Sequence, residues 1–349
     1  MAAGVFTLAD YEASQDNPKI KGTLKAFNME LGGIADLLHV HSTGGALRVA
    51  VTRINPTVNA TPMFRAINSK YAYTKTATEE FQENVMPFGD AVKIDNLIID
   101  DPTHLFKPGP TEMEQKAQQM ARVAIDTMIW GDPTVIYGQD GDSNNVFRPG
   151  GIVDRLTNPA NYKMDSTTTT DMGGLDLTAI TTTIANDFID EFNDQIDKIN
   201  PTFALGNRYM WRKVTRILRF GGGLDTTTDA YNRSFESWKG VRLINPGWKY
   251  MTRDAYNLAD TSAWMMPWEA VTTGIVNATL TAGNRYGRIL FVRTGEQDFT
   301  MLEAKGLQVR GPELLPIPED AQGYLIKWTL GFACMDFRPL AQMKNIKIG

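Results

Sequence analysis

The chain has 349 residues and 42% hydrophobic residues, enough for two domains or for one large domain with arms, and too apolar for general disorder. No run approaches the roughly 18 uncharged apolar residues of a membrane-spanning helix, and no basic stretch followed by an apolar run opens the chain as a signal peptide would. The lone Cys334 excludes an internal disulfide framework and fits a reducing compartment, while a net charge of -5 excludes a surface that grips nucleic acid through its overall charge.

Residues 1–45 read as an arm, because glycines recur there (Gly4, Gly22, Gly32, Gly33, Gly44, Gly45) and the apolar patch from Ile34 to Val40 is short. Residues 46–54, ALRVAVTRI, read as a strand. Residues 64–76 and 91–99 are rich in aromatic and β-branched types and predict a long two-stranded hairpin, with the polar stretch 77–90 as its tip. Such a hairpin is marginal alone in water and must pack on something else, a neighbouring copy being the obvious support. That makes Lys70, Tyr71, Tyr73, Lys75 and Phe81 candidate contact residues between subunits.

The clearest predicted helix follows. Thr111 and Glu114 have capping-box spacing, Pro110 precedes them, and Met113, Ala117, Met120, Ala124 and Met128 mark one face up to Gly131. A second helix is predicted over 177–199. Its apolar stripe is Leu177, Ile180, Ile184, Phe188, Phe192, Ile196 and Ile199; Asp187, Asp190, Glu191, Asp194 and Asp197 fill the other side, and Pro201 stops it. A third covers 207–220, with Met210, Val214, Ile217 and Leu218 opposed by Arg208, Arg212, Lys213, Arg216 and Arg219. Residues 220–229, FGGGLDTTTD, read as a flexible loop, and from Val241 onward the chain reads mostly as strands, at 241–245, 287–293 and 324–337.

Catalytic signatures are missing: there is no GxSxG, no phosphate loop and no HExxH. His39, His41 and His104 are the whole histidine complement, and two strand histidines without a third ligand are a weak metal signal. Asp140, Asp142 and Asn144 open like a calcium loop, but Asn145 stands where a turn glycine is needed and Gly151 where a bidentate Glu is needed, so a polar turn is expected. Gly221–Gly223 lack the strand–turn–helix context of a dinucleotide site. Cys334 lies in an apolar strand and is expected as a small core residue. The acidic and basic helices, adjacent in sequence and opposite in sign, are expected to meet within one subunit or across a subunit boundary; the rival is a basic helix facing nucleic acid.

The order of parts resembles the Hong Kong 97 fold of phage major capsid proteins. Residues 121–156 are similar to the family's pattern in which the spine helix ends in Gly-Asp and a short loop leads through an aromatic and glycines to an Ile or Leu; here these are Gly131, Asp132, Phe147, Pro149, Gly150, Gly151 and Ile152. Residues 324–348 resemble the family's closing strand, with Gly331 as the small residue and Arg338-Pro339 after it. Residues 234–246, SFESWKGVRLINP, resemble a crossover strand of the middle domain.

The resemblance implies an α+β fold with an N-terminal arm over 1–45, an E-loop hairpin with flanking strands over 46–108, a spine helix of the peripheral domain over 109–132, a mixed α/β axial domain over 133–285, and C-terminal strands returning to the peripheral domain over 286–349. It implies self-assembly into hexamers and pentamers of an icosahedral phage head, put together in the host cytoplasm. Copies of the chain itself, portal and scaffolding proteins, and double-stranded DNA bound without sequence specificity would be the partners, with no membrane, cofactor or metal. A scaffold fused to the N-terminus is not expected with about 45 residues before the first strand. Some members crosslink neighbours through Lys and Asn; Lys70, Lys75 and Asn345 are candidates by location, against the plainer reading of solvated surface residues. Asp190, Asp194, Arg212 and Arg216 complete the candidate subunit contacts. An encapsulin-type compartment of the same fold is the main rival, and an α/β enzyme the lesser one.

Overall fold

The computed structural model describes residues 6–54, 67, 70, 78–100, 108–140, 142–247, 266, 286–315 and 320–348. In chain order the elements are β1 (Phe6–Thr7), α1 (Leu8–Ala13), α2 (Pro18–Leu31), β2 (His39–Ser42), β3 (Arg48–Ile54), β4 (Thr78–Asn84), β5 (Met86–Asp95), α3 (Asn96–Asp100), α4 (Pro108–Trp130), α5 (Ile152–Thr157) and β6 (Thr169–Asp171). There follow α6 (Thr182–Ile199), β7 (Phe203–Leu205), α7 (Arg208–Phe220), β8 (Leu224–Thr228), β9 (Ser234–Trp238), β10 (Val241–Ile244), β11 (Tyr286–Val292), β12 (Phe299–Leu314), β13 (Ala321–Cys334) and β14 (Leu340–Lys347). The fold is α+β.

A five-stranded sheet runs β1-β2-β12-β13-β5, a seven-stranded sheet runs β6-β14-β11-β7-β10-β9-β8, and β3 pairs with β4 on their own. The seven-stranded sheet organises the interior, because both of its faces are covered. Along β7, Phe203 and Leu205 join one core while Ala204 joins the other; along β11, Leu290 and Val292 alternate with Ile289 and Phe291 in the same way. The first core also takes Leu24, Phe27 and Leu31 of α2, the buried face of α4, and Trp328, Leu330 and Phe332 of β13. The second is formed by α6 and α7, through Phe188, Phe192, Ile196, Met210, Val214 and Ile217.

Several sequence expectations are corrected. The N-terminal segment is no loose arm over residues 6–42: Asn17 caps α2, with Pro18 at its first position, and Leu24, Phe27 and Leu31 recur at helical spacing into the first core. The glycines that argued for an arm sit mostly at its ends and turns, with Gly32, Gly44 and Gly45 at positive φ. The hairpin also differs. Residues 78–84 are not a tip but strand β4, registered on β3 from Arg48↔Asn84 to Ile54↔Thr78. Residues 86–95 lie along β13, from Leu330↔Met86 to Ala321↔Asp95. The charges of TEEFQEN hid a strand whose Phe81 and Glu83 share the inward face. Pro87 is tolerated because β5 is a sheet edge. The strand predicted over 91–99 ends at Asp95 and turns into α3, and its predicted partner over 64–76 lies almost wholly outside the described residues.

Elsewhere α4 begins at Pro108, so Thr111 lies inside its first turn and not at the cap. The acidic helix begins at Thr182, capped by the Thr181 hydroxyl, and ends on Asn200 in the left-handed region before Pro201. The basic helix starts one residue after its Asn207 cap. Part of the loop expected over 220–229 is β8, paired with β9 from Leu224↔Trp238 to Thr228↔Ser234.

Candidate functional site

Two charged helix faces stand out on the seven-stranded sheet. Both α6 and α7 bury their apolar stripes in the second core, which leaves their polar sides outermost. On α6, Asp187, Asp190, Asp194 and Asp197 span about 15 Å within an arc of about 80°. On α7, Arg208, Arg212, Arg216 and Arg219 cover a similar length and arc, at 1.5 Å and roughly 100° per residue. All eight are exposed.

The sequence expectation that these charges meet is not met inside the subunit. Among the described residues, Asp194 pairs with Lys198 of its own helix at 2.6 Å, and Arg219 with Glu236 of β9 at 2.7 Å. No ion pair joins the α6 carboxylates to the α7 guanidiniums, because neighbouring helices on one sheet face turn their polar sides outward. Arg212 lies over the Tyr209 ring at 5.7 Å. Arg208, Arg212 and Arg219 border a shallow depression of about 420 Å³ with Trp211, Thr215 and Asn245.

A second constellation, missed from sequence, lies at the base of the β3–β4 pair. Glu83 is fully buried between two arginines. Arg155 of α5 grips it twice, Nη1 donating to Oε1 at 2.6 Å and Nη2 to Oε2 at 2.8 Å, and Arg53 Nη2 donates to Oε1 at 3.0 Å. The remaining donors are satisfied by backbone: Arg53 Nε reaches the Cys334 carbonyl at 2.8 Å, and Arg155 Nη2 the Phe332 carbonyl at 2.9 Å. Burial pulls the Arg155 guanidinium down in pKa and the Glu83 carboxylate more than reverses it. Phe81 and Tyr162 complete the packing, their rings 5.3 Å apart, with Arg53 5.3 Å from the Phe81 centroid. Phe81, a candidate contact between subunits, is thus engaged within its own. The partners are 30 and 72 positions apart in sequence, so the only available signal was Glu83 sharing a strand face with Phe81.

Of the other candidates, Lys70 is exposed, while Tyr71, Tyr73, Lys75 and His104 lie outside the described residues. Asn345 is not a free surface amide: it is buried, and its Nδ2 donates to both Asp171 oxygens at 2.8 and 2.7 Å. Asp140 forms a polar turn, its Oδ1 accepting from the Asp142 and Asn144 N–H groups at 3.0 and 2.8 Å. His39 is half-buried on β2, where burial lowers its pKa, and His41 is two residues on. Among the described residues no group of three or more His, Cys, Asp or Glu is placed to hold a metal. Val135, Ile136, Val146 and Phe147 are exposed around the turn after α4, where the Tyr137 N–H donates to the Val146 carbonyl at 2.9 Å.

The motif residues have physical reasons to be where they are. The Gly151 N–H donates to the Gly131 carbonyl at 2.7 Å, bringing the end of α4 against the start of α5. A Cβ at Gly131 would meet the Pro149 oxygen at 2.1 Å, and one at Gly331 the Asn84 oxygen at 2.5 Å. Arg338 forms an ion pair with Asp165, and the Pro339 carbonyl accepts from the Arg293 N–H at 2.9 Å.

No family model and no curated protein matches the chain. Solved structures do. The SrpI encapsulin complex of Synechococcus elongatus PCC 7942 matches with a TM-score of 0.55 at 14% identity, over 89% of this chain and 86% of that one. The capsid of a native GTA particle matches with a TM-score of 0.55 at 13% identity over 90% of both chains, and that of an empty GTA particle with 0.50 at 15% identity, again over 90% of both. The chain has the Hong Kong 97 fold. The matches extend over about nine-tenths of the chain rather than over one motif.

Proposed function

We propose that the chain is a self-assembling shell subunit, the major capsid protein of an icosahedral phage head that encloses double-stranded DNA. The observation that carries this reading is the fold match over 90% of both chains to the capsid of a GTA particle. In this reading the β3–β4 pair is the base of the E-loop, α4 is the spine helix, and the sheet carrying α6 and α7 forms the axial domain. Hexamers and pentamers of this chain would be joined by portal and scaffolding proteins. DNA would be retained by enclosure, in keeping with a subunit of net charge -5.

A second reading is a protein compartment, favoured by the equal TM-score to an encapsulin complex. One experiment addresses both. The chain is expressed alone and in its native host, particles are purified and imaged by electron microscopy, and their contents are digested with nuclease. Closed icosahedral particles with nuclease-protected double-stranded DNA from the host support the phage head. Closed particles that hold protein and no genome support the compartment. A chain that remains monomeric at high concentration refutes both.

A further inference from the structure

We infer that the acidic face of α6 docks on the basic face of α7 of a second copy of this chain. This inference rests on the shell reading and names the contact by which neighbouring subunits recognise each other. Asp187, Asp190 and Asp197 on one helix, and Arg208, Arg212 and Arg216 on the other, have no ion-pair partner within the subunit among the described residues. The two rows match in length and in arc, are opposite in sign, and sit on rigid helices anchored in one core.

The charge pattern selects the occupant. Each row carries one sign, so neither can face its own counterpart; acid must face base on another copy. A subunit that carries both halves of a complementary contact on separate elements can pass it head to tail around a closed ring. A phosphate backbone would satisfy the α7 row and leave the α6 row unanswered. A neighbouring copy answers both.

Three variants test this in the full-length chain: Arg212→Glu with Arg216→Glu, Asp190→Arg with Asp194→Arg, and all four together. Either double reversal turns the two middle charges of one four-charge row, sets like charges against each other at the centre of every contact, and raises the concentration needed for assembly by about tenfold or more. The fourfold variant restores complementary faces and recovers assembly. A 1:1 mixture of the two double variants also recovers it, because an alternating ring has acid opposite base at every contact. It does so only in even-numbered rings, since an odd ring must place two like subunits together. Native mass spectrometry and electron microscopy read ring size, and a thermal melt of the unassembled subunit confirms its fold. Should a reversal abolish the cooperative melt, Arg212→Gln with Arg216→Gln is read in its place, with a smaller loss expected. Wild-type assembly by the Arg212/Arg216 variant overturns the inference and leaves the shell reading intact. Such shells that also lose their nucleic acid would assign the α7 row to the genome instead. Failure of the fourfold variant to recover likewise overturns it, and a wild-type chain that forms no oligomer overturns this inference and the shell reading together.

Discussion

Replacing Glu83 by Ala removes the anion that bridges two buried cations, and its cost follows from the geometry. Arg155 is fully buried, Arg53 is 1% exposed and Glu83 3% exposed. Two guanidiniums against one carboxylate leave the wild-type cluster with a single excess positive charge; Glu83→Ala leaves two. Breaking a buried ion pair from one side typically costs about 3–5 kcal/mol, because the remaining charge stays desolvated. Two arginines depend on the same carboxylate here, so the upper end of that range applies, against a total stability of about 5–15 kcal/mol for an ordinary domain. The loss should concentrate in the β3–β4 pair, which among the described residues has no sheet of its own beyond two strands and is tied to α5 and β13 through this cluster. Urea unfolding of the unassembled subunit measures the total, and hydrogen exchange locates it on residues 48–54 and 78–84. Glu83→Gln keeps an acceptor and should fall between. Glu83→Leu with Arg53→Leu and Arg155→Met removes all three charges and should recover most of the stability that Glu83→Ala loses. A Glu83→Ala variant less than about 1 kcal/mol below wild type would refute the claim that this cluster anchors the hairpin.

Three further outcomes are expected. Burial pushes the Cys334 thiol up to about 11, although Arg155 and Arg53 pull the other way, so the native protein should resist thiol reagents at pH 8 and react fully once unfolded in urea. Burial tends to raise the Asp176 carboxyl, but the Thr178 hydroxyl and Lys347 outweigh it and hold it near 2 against an ordinary value of 3.8. A depressed carboxylate stabilises the fold above its unfolded pKa, so this contribution is lost as pH falls from about 4 through about 2. Asp176→Asn should therefore lower the melting temperature at pH 7, with the difference from wild type shrinking below about pH 4 and vanishing only below about pH 2. Gly131→Ala places a methyl group against the Pro149 carbonyl and should destabilise by about 1–3 kcal/mol or more; an unchanged melting temperature would show that the α4–α5 junction is looser than its contacts imply.

The third predicted helix was legible almost to the residue from its apolar stripe Met210, Val214 and Ile217; the second was legible in its stripe Phe188, Phe192, Ile196 and Ile199 and in its end, but it begins at Thr182 behind a Thr181 cap and not at 177. The segment from Gly131 to Ile152 was legible as a pattern before its reason was, which is a junction that excludes Cβ atoms. What misled was charge and glycine. In α2, Leu24, Phe27 and Leu31 carried a helical period that nearby glycines obscured. In β4, Glu83 looked like a tip residue because a carboxylate is rarely buried. Its partners Arg53 and Arg155 are brought to it only by the fold, and no local pattern announces them. The acidic and basic helices were expected to meet within one subunit or across a subunit boundary, and only the first is set aside: sequence adjacency brings two helices onto one sheet face without turning their polar sides toward each other.

That last distinction bears on how a subunit of this kind can assemble without aggregating. A large exposed apolar face would hold neighbours tightly and would also hold wrong ones. Here the apolar sides of α6 and α7 are buried in the second core, and what they offer outward are charges worth at most about 1 kcal/mol per exposed pair. One such contact is too weak to trap a misplaced neighbour. On the proposed docking, contacts repeated around a closed ring would add, and only the arrangement that sets acid against base at every position would collect all of them. Like-charged juxtapositions, which pairing a row with its own kind produces, are repelled by the same residues. The buried Glu83 cluster serves the opposite purpose, fixing the hairpin base firmly within the subunit. Strong electrostatics are thus kept inside, where geometry must not vary, and weak electrostatics outside, where the proposed contacts would form and break until a ring closes.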